Sequence, residues 1–294
     1  NTWAFRRFMD HHTELNDIYW SFAPLSHIGR YKTKDLDDKV SVLSALHVDP
    51  THPDARRIPH PAASWRKRIR DFDNWTRLNA LMALSSYFEL YVASLARVAI
   101  QSDPGLLIGY SGLADGLQLL CQGVRVDAER TVELCTRGEW SGRHAALRGL
   151  FGGVPAGLDQ NLGRLDQLRK IRNGVGHAFG RDVRSFDEYL PGALSDMVRV
   201  SESQLKRWLG LTVDLARELD EYVGPKHIGE YETLLHYHKW RAKYSNPKAR
   251  SGSDRLLSED RAYSKALGRL HGRSPGYQFC SDLIDHYGKA RNMT

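Results

Sequence analysis

Apolar residues along this chain recur mostly at intervals of three and four, the period of a helix that buries one face. From Trp3 to Trp20 they fall at Phe5, Phe8, Met9, Leu15, Ile18 and Tyr19, which predicts an amphipathic helix. Pro24 to Ala63 carries Pro50, Pro53, Pro59 and Pro61 and is expected to be loop-rich. The strongest helical signal spans Trp65 to Gln101. Leu78, Leu81, Met82, Leu84, Tyr87, Phe88, Tyr91, Val92, Leu95 and Val98 surround much of its circumference. Such a helix is buried on most sides or shared with a partner subunit. Asp103-Pro104-Gly105 stops it.

Shorter helices are predicted over Leu113–Gln122 and Ala128–Cys135. The glycine-rich stretch Gly149 to Gly157 lacks a following Gly-Lys-Ser/Thr and reads as a connecting loop, not a phosphate cradle. Asp159 is a candidate N-cap. The next helix carries Leu162, Leu165, Leu168, Ile171 and Val175 on one face and runs on to His177, weakened by Gly174 and Gly176. Asp196 to Val223 predicts another helix, stopped by Gly224-Pro225. Beyond it the pattern thins. Arg250 to Asp254 reads as a linker, and Leu256 to Tyr287 as two short helices broken between Gly272 and Gly276. With neither alternating strands nor an internal repeat, the fold class expected is all-α. Three segments follow: residues 1–63, a helical core at 64–224, and a basic extension at 225–294.

A length of 294 residues allows one large domain or a medium one with extensions. Mean hydropathy is −0.50, and no apolar run approaches the ~18 residues that span a bilayer. Arg6-Arg7 follows the first residues where a signal peptide would turn apolar. These features point to a soluble, cytoplasmic protein. Cys121, Cys135 and Cys280 are odd in number and far apart, which fits reduced thiols packed as small hydrophobes. A net charge of +7 fits a polyanionic partner without demanding one.

The chemistry concentrates at Arg172-Asn173-Gly174-Val175-Gly176-His177. A guanidinium stays charged at any working pH and grips phosphate through paired hydrogen bonds. An imidazole exchanges protons near neutrality. Arginine and histidine at a helix C-terminus also favour the helix dipole, a purely structural alternative. Five positions apart on a helix, Arg172 and His177 differ by about 140° in direction, whereas Asn173 and His177 share a face. Glu89 lies in the apolar run Tyr87-Phe88-Glu89-Leu90-Tyr91. It either pairs with Arg172 as a buried carboxylate must or faces solvent.

A long helix, a loop, a helix ending in R-N-x-x-x-H and a second long helix together resemble the HEPN superfamily. The resemblance covers Trp65 to Val223. It rests on the R-x4-6-H motif with a polar residue after the arginine, on the lead-in Leu165-Asp166-Gln167-Leu168-Arg169-Lys170-Ile171, and on the surroundings of Phe88-Glu89. It implies a metal-independent endoribonuclease acting in toxin–antitoxin or antiviral defence, with no cofactor. Arg172, Asn173, His177 and Glu89 would be its catalytic residues. Such domains dimerise to form a composite cleft, so a homodimer is expected, and an antitoxin or sensor protein is the partner such a toxin would need. The alternatives are a non-catalytic HEPN-like module binding RNA, a nucleotide or a protein, and a DNA-binding regulator, for which a helix-turn-helix pattern is lacking.

Two basic stretches are candidate RNA contacts: Arg66, Lys67, Arg68 and Arg70, and Lys239, Trp240, Arg241 and Lys243. Cations pair with phosphates and aromatic rings stack on bases. A solvated basic face is the plainer reading of each. The histidine pairs His236-x-His238 and His11-His12 lack the further ligands a metal site requires, so no metal is expected.

Overall fold

The computed structural model describes residues 1–178, 197–244, 257–272 and 274–292, and among them it is all-helical, with an isolated β-bridge between Ser41 and Pro61. Eleven α-helices are described: α1 (Trp3–Thr33), α2 (Ala62–Ser102), α3 (Gly116–Cys121), α4 (Glu129–Thr136), α5 (Trp140–Phe151), α6 (Ala156–Gln160), α7 (Leu162–Ala178), α8 (Glu202–Val223), α9 (Tyr231–Tyr244), α10 (Glu259–His271) and α11 (Tyr277–Asn292). No described helix is long and apolar enough to cross a membrane. The linker expected at Arg250 to Asp254 lies outside the described residues, as do Asp196 and Leu256.

The chain forms two compact units, each discontinuous in sequence. One comprises Asn1–Phe5, Val92–Asp159 and Glu218–Thr294; the other comprises Arg6–Tyr91 and Gln160–Arg217. The three consecutive segments drawn from the sequence followed its loops. The units are not consecutive because α1, α2 and α8 each contribute residues to both.

In the unit holding Arg172, four helices share one apolar core. Leu78, Leu81 and Leu84 of α2 pack with Leu168 and Val175 of α7 and with Leu205, Trp208 and Leu209 of α8, while Leu15 and Tyr19 of α1 flank them. Helix α1 does not end near Trp20. It continues through Pro24 to Thr33, although an interior proline forfeits a backbone bond and costs about 3 kcal/mol. Side chains of α2 hold this extension. Asp73 receives Ser26 Oγ and pairs with Arg30 at 3.2 Å. Arg66 donates to the Thr33 and Leu36 carbonyls at 2.8 and 3.1 Å and pairs with Asp38. The Thr33 carbonyl is one of the orphans of a helix end, which need such donors, and the Leu36 carbonyl belongs to the turn that follows. Packing therefore outweighs the local breaker.

The other unit has an aromatic core: Tyr237 of α9, Tyr263 of α10 and Tyr287 of α11 with Leu117, Leu234, Leu267 and Cys280. Trp3 and Trp240 pack on its edge. Thr2 caps α1, its Oγ accepting from Phe5 N–H at 3.1 Å while its own N–H and hydroxyl donate to Asp220. Glu232 receives Trp3 N–H at 2.7 Å. The glycine-rich stretch is not one loop, because α5 runs to Phe151 and α6 starts at Ala156, with Gly152 left-handed between them (φ 69°). Asp159 does not cap α7; it lies within α6 and meets His144 Nε2 at 2.5 Å. The three cysteines are free, with Cys135 and Cys280 buried, and burial pushes the Cys135 thiol up to about 12.

Candidate active site

Helix α7 presents the Arg172–His177 stretch because its opposite side is committed to the core. Leu165, Leu168 and Val175 are buried, and Ile171 packs beside them. With those positions turned inward, Arg172 and Asn173 are left half-buried. The Arg172 guanidinium donates to Asn173 Oδ1 at 3.0 Å and pairs with Glu89 Oε2 at 3.5 Å. Glu89 projects from α2, its side chain 19% exposed against 39% for Arg172. At 3.5 Å the contact is chiefly a charge pair, since a strong charge-assisted bond is shorter, about 2.7–2.9 Å. A guanidinium has five N–H donors, and these two contacts leave others to meet a ligand.

His177 stands at the last turn of α7, exposed, without a hydrogen-bond partner among the described residues. The structure thus brings Arg172, Asn173 and Glu89 together, while His177, about one turn beyond Asn173 on its face of α7, diverges from Arg172 around the helix axis. Asn173 engages Arg172 and not the imidazole.

Of the first basic stretch, Arg66 is consumed by the Thr33 and Leu36 carbonyls and Asp38. Arg68 lies 3.4 Å from Asp71, and Lys67 and Arg70 are exposed. The second stretch belongs to the other unit. Trp240 is stacked on Tyr244 at 4.3 Å and packs on the aromatic core. Arg241 pairs with Glu259 at 3.5 Å and lies over the Tyr287 ring, whereas Lys239 and Lys243 are exposed. Much of the aromatic content that suggested base stacking is core.

No family model, curated protein or solved structure matches the chain. The described residues hold no group of three or more histidine, cysteine and carboxylate side chains suited to a metal ion. The histidine pairs have other partners. His236 and His238 bond the hydroxyls of Tyr263 and Tyr287 at 3.1 and 2.7 Å. His12 Nε2 donates to the Leu209 carbonyl at 3.2 Å, and His11 packs against the Tyr87 ring.

One polar cluster carries no sequence signal, because its members are separated by up to 124 residues. Asp103 receives Ser111 Oγ at 2.5 Å and Gly112 N–H at 2.9 Å, and its carboxylate meets His227 Nδ1 at 3.2 Å. Burial alone would raise the Asp103 pKa, but the bonds from Ser111, Gly112 and His227 together bring it below the ordinary value. The set has the residue types of a hydrolase triad and the wrong geometry. A triad serine sits at the imidazole nitrogen opposite the carboxylate, whereas Ser111 and Asp103 both face Nδ1. Its role is to tie the end of α2 to the turn before α9.

Proposed function

We propose that this chain is a metal-independent endoribonuclease of the HEPN type. The observation that carries the reading is the Arg172–Asn173–Glu89 constellation one turn from an exposed His177, on a helix whose other face is fixed in an all-helical core. In the proposed reaction a base takes the proton of a ribose 2′-OH. The 2′-oxygen attacks the adjacent phosphorus and the bond to the 5′-oxygen breaks. An acid protonates that leaving oxygen. The products are a 2′,3′-cyclic phosphate and a 5′-hydroxyl. His177 acts as base or acid, since imidazole serves both roles near neutrality. Arg172 neutralises charge building on the phosphate oxygens. Glu89 and Asn173 position Arg172, so they act through it and not on the substrate. DNA, lacking the 2′-OH, is not a substrate for this chemistry.

Since Arg172 and His177 diverge around the helix, a homodimer that joins two motifs in one cleft completes the proposed site. A toxin or antiviral effector, silenced by an antitoxin or sensor protein, is the setting the HEPN reading brings with it. A second reading is a non-catalytic module that binds RNA, a nucleotide or a protein partner; it is favoured by His177, which no hydrogen bond among the described residues holds in a catalytic orientation.

The deciding experiment incubates wild-type, Arg172→Ala and His177→Ala proteins with total RNA, with and without EDTA. The expected outcome is EDTA-insensitive cleavage ending in 2′,3′-cyclic phosphate. Each substitution should slow it at least about 100-fold, the scale of lost general acid–base catalysis. Cleavage that needs metal, or that survives both substitutions, overturns the mechanism. RNA binding without cleavage supports the second reading.

A further inference from the structure

Between α1 and α2, in the unit that holds Arg172, lies an open groove of about 370 Å³. Phe22, Leu25 and Ile28 line it from α1, and Trp65, Ile69 and Phe72 from α2. Leu25 is 60% exposed, and Phe22 and Ile28 each 52%. Solvent-facing apolar residues scattered singly need no explanation, but a contiguous concave set marks an interaction surface. The Trp65 ring lies against α1 at Gly29, 3.6 Å from where a Cβ would stand, an ordinary contact distance. The Trp65 indole Nε1 is buried without a hydrogen-bond partner among the described residues. A buried donor left in that state carries an energetic penalty.

The charge around the groove decides what fits it. The stretches that build it, residues 22–34 and 65–72, contain Arg30, Lys32, Lys34, Arg66, Lys67, Arg68 and Arg70 against the single carboxylate Asp71. Lys32 lines the groove itself. Arg68 follows Trp65 by three positions and precedes Phe72 by four, which places it along the same edge of α2. The carboxylates close by already have partners. Asp71 is shared by Arg199 at 2.9 Å and Arg68 at 3.4 Å, Asp73 is held by Ser26 and Arg30, Asp38 by Arg66 and Asp35 by Lys34 at 3.8 Å. That leaves Lys32, Lys67 and Arg70 without an ion pair among the described residues, and Arg68 with only a share of one carboxylate.

We propose that this groove docks an acidic amphipathic helix of a partner protein. Its apolar side chains, spaced three and four apart, would enter between α1 and α2. Its carboxylates would meet Lys32 and Arg68. A second copy of this chain is a poor occupant, because a two-fold contact through one face sets its cations against themselves. A lipid surface calls for a protruding apolar face, whereas this one is recessed. Single-stranded RNA calls for flat aromatic platforms, whereas here Leu25, Ile28, Leu46 and Ile69 are interleaved with the rings of Phe22, Trp65 and Phe72. The proposal is independent of the ribonuclease reading.

The test uses the full chain and a fluorescent designed peptide helix with leucines at positions i, i+4 and i+7 and flanking glutamates. A twin peptide carries lysines in place of the glutamates. Fluorescence anisotropy should show saturable binding of the glutamate peptide only. Leu25→Asp and Ile28→Asp should each weaken it at least about tenfold, the ratio that 1.4 kcal/mol represents. Both positions are exposed, and circular dichroism checks that the variants stay folded. Lys32→Glu combined with Arg68→Glu should exchange the preference, so that the lysine peptide binds instead. Absence of binding, equal affinity for both peptides, or affinity untouched by these substitutions overturns the proposal. So does groove-dependent binding of single-stranded RNA or anionic vesicles, or self-association abolished by Leu25→Asp.

Discussion

Arg172 and His177 sit under different constraints. The arginine is held by two neighbours and the histidine by none among the described residues. In the proposed enzyme, Glu89→Gln leaves Arg172 in place and removes the charge that orients it. Single-turnover cleavage should fall about tenfold in kcat with little change in KM, the signature of an interaction that matters in the transition state. Thermal stability should change by less than about 1 kcal/mol, because half-exposed ion pairs contribute little. A large loss of stability would show Glu89 to be structural. His12 gives a pH prediction. Burial lowers its pKa from the ordinary 6.5, partly opposed by its bond to the Leu209 carbonyl, and Asn16 donates to Nδ1, so the fold holds the neutral ring. With a folded pKa below the unfolded one, its stabilising contribution is complete above pH 6.5 and is lost as pH falls through the folded value. Melting temperatures measured from pH 7 to pH 5 should decline in the wild type and decline less in His12→Gln. At this scale the Arg–Asn–His motif was readable because it is local. The capture of Arg66 by the end of α1 was not, because its partners lie about thirty positions away in sequence.

At the scale of elements, α2 was legible almost to its ends, since apolar residues surround it and Asp103-Pro104-Gly105 closes it. Helix α9 was not. Its aromatic and basic residues look solvated in sequence, and only contact with Tyr263 and Tyr287, far along the chain, turns Tyr237 and Trp240 inward. Helix α5 was missed because Gly142 and Gly149 weaken its local signal. The extension of α1 was missed because Pro24 is a breaker everywhere except where distant side chains compensate. That compensation is measurable. Pro24 is exposed, so Pro24→Ala restores a backbone bond without opening a cavity. The variant should be more stable, by about 1 kcal/mol or more of the ~3 kcal/mol proline penalty. Chemical denaturation would read this as a higher midpoint at unchanged slope, and a lower midpoint would show that α1 needs the bend.

For the whole molecule, the net charge of +7 gives the proposed RNA contact a salt signature. Each phosphate neutralised on a single strand contributes about 0.7 to the slope of log affinity against log salt. Replacing Lys67 and Arg70 together with alanine should therefore reduce that slope by about 1.4 if both touch phosphate. An unchanged slope would assign RNA contact elsewhere, with Lys239 and Lys243 the next pair to test. The long-range pairs also set an order of assembly. Glu89 cannot meet Arg172 until 83 further residues exist, and the cap that Thr2 gives α1 finds Asp220 only after 218 more. At roughly 5–20 residues per second, α1 waits on the order of ten to forty seconds of synthesis for its anchor. The arginine–carboxylate pair therefore cannot form before α7 has been synthesised, 83 residues after Glu89, and whatever that pair does waits until then.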